Sequence, residues 1–244
     1  MNQPELREPE PVLPEPEPPA EPVSPEPPVE DPAPPVNAPA EPPAPVEPPE
    51  LQPPVKPEDP FSGALFIGDS RTVGLYEYAG ITGADFFCDT GMSVFSMFKT
   101  NSEAGSKELL LEEVLSGKQY DRIYLMLGIN ELGYPFDMTV DKFAEVVAKL
   151  RKLQPEAFIH LQANLHVTKA RSDRDKLYNN GNIDRLNQAI AALADGETIF
   201  YLDANVVFDD ENSALTDAYT GDDVHLYAKY YPIWTEWLQE NTPA

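Results

Sequence analysis

The chain has 244 residues, 28 of them proline, and carries 42 acidic residues against 17 lysines and arginines for a net charge of −25. Such a balance lacks the basic footprint that nucleic acids and anionic membrane surfaces require, so neither is expected as a partner. The single cysteine, Cys88, excludes an intramolecular disulfide, and no apolar run is long enough for a membrane span or for the core of a signal peptide.

Twenty-four of the 28 prolines precede Phe61. Proline fixes φ and removes a backbone donor, and repeats such as Pro14-Glu15-Pro16-Glu17-Pro18 offer no periodic apolar face to bury. Residues 1–60 therefore read as a disordered Pro/Glu-rich spacer with polyproline II character. The spacer holds 14 acidic residues against Arg7 and Lys56, a balance of −12, which leaves −13 for the folded part, residues 61–244. A PxxP-type ligand for a partner domain is the alternative use of this segment. A spacer of this kind suits a protein at the cell surface or outside it, with an export signal or anchor upstream and the tail associating with the cell wall.

From Ala64 onward short β-rich runs alternate with helical patterns, the signature of βα units around a parallel sheet. The first run, Ala64 to Ile67, ends in Gly68-Asp69-Ser70. The second, Asp85 to Cys88, leads to Gly91. Glu103 to Leu115 reads as a helix ended by Ser116-Gly117. The third run, Arg122 to Leu127, leads to Gly128-Ile129-Asn130-Glu131. Thr139 to Leu153 places Val140, Phe143, Val146, Val147 and Leu150 at helical spacing, with Asp137 or Thr139 as cap and Pro155 beyond the end. A fourth run, Ala157 to Ala163, contains His160, whose alternation with Ile159 and Leu161 predicts a structural role. The loop Thr168 to Asn182 is either a lid or a solvated connection. Ile183 to Leu193 is again helical, Thr198 to Leu202 is a fifth strand, and Leu226 to Leu238 is a closing helix with Pro232 in its first turn. Right-handed crossovers predict a three-layer α/β/α sandwich with a five-stranded parallel sheet, in which ligands bind beyond the carboxyl ends of the strands. Cys88, at the end of the second strand, is expected to be buried and inert.

The polar turns all fall at that end. A serine hydroxyl attacks only when a base takes its proton, and His225 is the imidazole suited to do so for Ser70. A carboxylate on the other ring nitrogen would hold the tautomer. Asp222 can fold back to supply it, with Asp223 as the adjacent competitor. The oxyanion of a tetrahedral intermediate could be received by the Ser70 and Gly91 backbone N–H groups and the Asn130 side-chain amide. Arg71 and Glu131 flank these turns, and Asn164 and His166 follow the fourth strand, so all four are candidates to line the substrate; Arg71 could instead pair with a carboxylate such as Asp69 or Glu131. Asp222, Asp223 and His225 could in principle hold a metal, but no second cluster with ligand spacing accompanies them, and neither metal nor cofactor is expected.

Gly68-Asp69-Ser70, Gly91, Gly128-Ile129-Asn130-Glu131 and Asp222-Asp223-Val224-His225 resemble, in order and context, the four blocks of the SGNH hydrolases, also called GDSL-like esterases and lipases. The resemblance spans roughly Ala64 to Leu238. It implies a flavodoxin-like fold and a metal-free serine esterase acting on acyl esters, often acetyl groups on carbohydrates. It also implies Ser70 as nucleophile, His225 as base, Asp222 as its orienting carboxylate, and Ser70, Gly91 and Asn130 as oxyanion donors. Glu131 stands where the third block usually has Asp, and Arg71 stands where the family name implies Leu. The expected activity is hydrolysis of a small acyl ester or an acylated glycan. A lipase, lysophospholipase or thioesterase of longer chains, and a catalytically idle glycan-binding module, are the alternatives.

Overall fold

The run Ala64–Gly68 is buried at all five positions and forms strand β1, as expected of a strand covered on both faces. The computed structural model describes residues 60–105 and 108–243, so the spacer, apart from Pro60, lies outside the described residues. After β1 come helix α1 (Ser70–Tyr78), β2 (Asp85–Cys88), α2 (Leu111–Gly117), β3 (Arg122–Met126), a 3₁₀ turn (Ile129–Glu131) and α3 (Phe136–Leu153). Then follow β4 (Phe158–Gln162), α4 (Lys169–Arg174), α5 (Asn180–Ala191), β5 (Ile199–Leu202), α6 (Asn205–Phe208) and α7 (Tyr231–Asn241). The five strands form one parallel sheet in the order β2-β1-β3-β4-β5. That order reverses direction between β1 and β3, which is where an open α/β sheet leaves a crevice at its carboxyl end.

Alternation along the strands divides the core into two layers. Leu65, Ile67, Ile123, Leu125, Ile159 and Leu161 face one side and pack against Leu111 and Leu115 of α2, Phe143 and Leu150 of α3, and Ile190 of α5. Phe66, Phe86 and Tyr124 face the other and pack with Leu75 of α1, Phe208 of α6, and Tyr231, Trp234 and Leu238 of α7. The result is the expected α/β/α sandwich.

On the second face the residues in register across all five strands are Phe86, Phe66, Tyr124, His160 and Phe200. Their rings stack in sequence, with centroids 5.0, 4.4, 4.9 and 5.6 Å apart. His160 is fully buried in this ladder and neither ring nitrogen has a hydrogen-bond partner. Burial pushes its pKa down to about 4, so it is a neutral ring at physiological pH. Cys88 is fully buried as well, and burial pushes its thiol pKa up to about 12.

Helices α1 and α6 were not expected from the sequence, and three further elements depart from it. The helix expected over Glu103 to Leu115 is α2, which begins only at Leu111. Ahead of it the Ser102 hydroxyl bonds Cys88 N and O at 2.9 and 3.0 Å, and Glu103 N donates to Cys88 O at 2.7 Å, so Ser102 and Glu103 are held against the end of β2 instead of opening a helix. The closing helix begins at Tyr231, because Leu226 is bridged to Thr220 and Tyr227 N donates to Tyr219 O; Pro232 then sits in the first turn as expected. The charged loop after β4 contains α4 and the start of α5.

Candidate active site

Strand β1 delivers Asp69 and Ser70 directly into helix α1. The buried Asp69 is the N-cap: its carboxylate accepts the Arg71 N–H at 3.0 Å. Ser70 is thus the first helical residue, and its backbone N–H belongs to the opening turn that has no intrahelical acceptor. Its side chain is half-buried, with Oγ 2.8 Å from His225 Nε2.

The segment between Thr220 and Leu226 forms a tight loop closed by the bridge between these two residues. Within it Asp222 Oδ1 accepts the backbone N–H groups of Val224 and His225 at 3.0 and 2.8 Å, and Oδ2 lies 2.7 Å from His225 Nδ1. Desolvation alone would raise the Asp222 pKa, but the hydrogen bonds from His225 and Val224 outweigh it and hold the carboxyl at about 2. Asp222 is therefore an anion at physiological pH. Asp223 points elsewhere: its carboxylate accepts from Thr168 Oγ1 at 2.9 Å and Arg174 Nη2 at 2.5 Å, and its backbone has φ of 72°. The structure thus brings Asp222, and not Asp223, to the imidazole. Thr168 and Arg174, which fasten this loop to α4, were not singled out in the sequence; their only mark was the Thr-Lys-Ala-Arg start of a helix in a charged stretch.

Gly91 and Asn130 follow β2 and β3, the strands on either side of β1. Asp89 N donates to Gly68 O at 3.2 Å, drawing the Gly91 turn towards the end of β1. Asn130 Nδ2 donates to Met92 O at 3.0 Å, which spends one amide hydrogen on joining the two turns and leaves the other. Gly91 has φ of 83°, and a Cβ there would meet no atom within 4 Å. Backbone conformation, not crowding within the protein, requires glycine at this position. At Gly128 both reasons apply: φ is 135° and a Cβ would stand 2.5 Å from Asn164 Nδ2.

The four residues expected to line the substrate behave differently. Arg71 is 1% exposed, and its guanidinium is held by Asp69 Oδ2 at 3.1 Å, Asn164 Oδ1 at 3.1 Å and Leu165 O at 3.3 Å. It presents no polar lip; the carboxylate of its own cap takes it inward. Asn164 is 1% exposed and also bonds Leu127 O and Asn187, so it ties β3 to β4 and α5 and lines nothing. His166 is buried between Asp209 on Nδ1 and Asp184 on Nε2, both at 2.8 Å. Burial would lower its pKa, but the two carboxylates more than offset that and raise it. A ring occupied at both nitrogens is unavailable to a substrate. Glu131 is 1% exposed, and its Oε1 accepts the Val94 N–H at 2.6 Å. Burial pushes its pKa up to about 7, and its other oxygen, Oε2, has no partner.

Residues 66–232 match the family model described as GDSL-like Lipase/Acylhydrolase family. No curated protein matches the chain. Among solved structures, a GDSL-like lipase from Bacteroides thetaiotaomicron shares 17% identity over 72% of this chain and 85% of that one, with a TM-score of 0.53. An acetyl xylan esterase is 16% identical, covering 74% of this chain and 99% of its own, at a TM-score of 0.54. A family two carbohydrate esterase from Clostridium thermocellum, solved with cellohexaose, is 14% identical over 76% of this chain and 65% of its own, at a TM-score of 0.51.

Proposed function

The chain belongs to the GDSL-like lipase/acylhydrolase family, and on that premise we propose that it is a serine esterase removing short acyl groups, acetyl foremost, from a carbohydrate. One observation carries the reading: the unbroken chain from Ser70 Oγ to His225 Nε2 at 2.8 Å and from His225 Nδ1 to Asp222 at 2.7 Å. With the Nδ1 proton donated to the Asp222 anion, Nε2 is left as the acceptor for the Ser70 proton. Ser70 Oγ then attacks the ester carbonyl, and the oxyanion is received by the Ser70 and Gly91 N–H groups and the remaining Asn130 amide hydrogen. His225 passes its proton to the departing alcohol, and the same base activates the water that hydrolyses the acyl-enzyme.

The short-acyl preference draws on the name of one structural relative, an acetyl xylan esterase. The carbohydrate preference draws on the names of two structural relatives, an acetyl xylan esterase and a carbohydrate esterase holding cellohexaose. The acidic Pro/Glu-rich composition of residues 1–60 supports placing the enzyme at the cell surface or outside the cell, with the tail reaching into the cell wall. No helix among the described residues is long and apolar enough to cross a membrane.

Hydrolysis of p-nitrophenyl acetate by the wild type and by Ser70→Ala tests the mechanism. The variant is expected to lose about 10³-fold or more in kcat; full activity without Ser70 overturns it. A series of esters from acetate to palmitate tests the acyl length, and a long-chain optimum would replace the short-acyl reading with a lipase.

A further inference from the structure

Beside the Asn130 turn lies a second cavity, of about 240 Å³, that the acyl-transfer chemistry does not use. Glu131, Tyr134, Phe136, Thr139, Asn182 and Arg185 line it. Two of its polar atoms, Glu131 Oε2 and Thr139 Oγ1, are buried and have no hydrogen-bond partner; the residues are 1% and 2% exposed. Both atoms lie behind the cavity wall, closed to any occupant, so the polar groups open to a ligand are those of Asn182 and Arg185. Asn182 spends its amide N–H groups on Lys176 O and Leu177 O, which leaves its oxygen as an acceptor.

The cation of this cavity is unusual for the molecule. Arg71, Arg171 and Arg174 each pair with a carboxylate and Arg122 and Arg151 donate to backbone carbonyls, whereas Arg185 has neither an ion pair nor a hydrogen bond among the described residues. Its guanidinium lies 3.6 Å from the centroid of the Phe136 ring, which fixes the fork in place and leaves its edge for a ligand. In a chain of net charge −25, an arginine held against an aromatic wall without an acid of its own is available to a carboxylate from outside. Tyr134 adds a half-exposed ring, stacked on Phe95 with centroids 4.9 Å apart, at the cavity rim.

One buried cluster connects the cavity to the reaction centre. Ile129, Val167 and Ile183 form a small buried cluster against which Leu132, a cavity residue, and Val224, the neighbour of His225, both pack. We infer that this cavity is the subsite for a sugar ring carrying a carboxylate, with Arg185 on the acid group, Asn182 on a hydroxyl, and Phe136 and Tyr134 against the ring. The substrate class is thereby an acylated acidic glycan. This rests on the esterase reading above for its link to catalysis but not for the binding itself.

The test separates the two. Oligogalacturonate and its fully methyl-esterified counterpart share a ring and differ in charge. Each is titrated by calorimetry into the wild type, Arg185→Met and Lys118→Met; Lys118 lies just before β3, at the opposite end of the sheet, and controls for loss of one positive charge. Wild type and Lys118→Met are expected to bind the acid at least about tenfold more tightly than the methyl ester, and Arg185→Met to lose that preference. Equal binding of acid and ester by the wild type, no binding of either, or an intact preference in Arg185→Met would each overturn the proposal. The acetylated forms of both glycans then give kcat/KM, with the acid-to-ester ratio expected to fall about tenfold in Arg185→Met. Failure on p-nitrophenyl acetate as well would sink the esterase reading while leaving the binding result to stand on its own.

Discussion

Glu131 Oε1 accepts the backbone N–H of Val94 at 2.6 Å, and this bond fastens the turn carrying Asn130 to the segment that follows Gly91. Two of the proposed oxyanion donors are therefore braced by one buried side chain. Removing the acceptor in Glu131→Ala leaves a buried donor unsatisfied, at a cost of about 1–3 kcal/mol. kcat on p-nitrophenyl acetate is expected to fall about tenfold with KM little changed, since the donors act on the transition state. Glu131→Gln keeps an acceptor and should recover most of the rate. A Gln variant as impaired as Ala would show that the bond to Val94 is not what matters.

Asp222 and Asp223 are neighbours with different partners, and their substitutions should separate cleanly. Asp222→Asn removes the anion that holds the His225 tautomer and is expected to lower kcat by about 10²–10⁴-fold. Asp223→Asn weakens a partly exposed ion pair to Arg174, worth up to about 1 kcal/mol, and Asn tolerates the positive φ at this position. Its kcat should stay within a few-fold of wild type. Equal losses in the two variants would return the orienting role to an open choice.

Arg71 and Asp69 form an ion pair 3.1 Å long with side chains 1% and 0% exposed. Arg71→Leu, which installs the residue the family name implies, strands the Asp69 carboxylate and should destabilise the fold by roughly 3–5 kcal/mol. Asp69→Asn keeps a cap for α1 and removes the charge. The double variant is accordingly expected to be more stable than Arg71→Leu alone in urea unfolding. An additive loss from the two changes would mean that the pair is not a unit.

These cases mark what the sequence could and could not convey. Strands were legible because apolar β-rich runs sit between turn residues, and the Ser70, Gly91, Asn130 and His225 turns because each falls at a strand end. Helix α1 went unread: it starts inside Gly-Asp-Ser-Arg, Gly74 interrupts it, and only Leu75, Thr72, Arg71 and Gly74 are buried. The Arg71 partner Asp69 is two residues away and legible in the sequence, whereas the side chains of Asn164 and His166 show there only as polar groups near the turns. The partners of those two side chains, Asn187, Asp184 and Asp209, come from α5 and the residue after α6, and only folding brings them together. Arg185 gave no signal at all, since an arginine on a helix is usually a solvated charge and its lack of an acid partner is visible only in three dimensions.

His160 and Glu131 are buried titratable groups with opposite effects on stability. The His160 pKa falls from 6.5 to about 4 on folding, so its contribution is present above pH 6.5 and is lost as pH falls through about 4. The Glu131 pKa rises from 4.5 to about 7, so its contribution is present below pH 4.5 and is lost as pH rises through about 7. Each amounts to roughly 3 kcal/mol across its window, and between about pH 4.5 and 6.5 the two slopes offset one another. His160→Phe keeps a ring in the stacked ladder, removes two unpartnered nitrogens and should raise Tm at pH 7. Its advantage over wild type should then grow by roughly 2–3 kcal/mol on acidification to pH 4.5, because only the wild type must keep a histidine from protonating. Glu131→Gln should show the reverse trend, gaining on wild type as pH rises from 4.5 to 7.5. Thermal unfolding of the three proteins at these pH values checks the signs; parallel curves for His160→Phe and wild type would mean that His160 is protonated, or reached by water, inside the ladder.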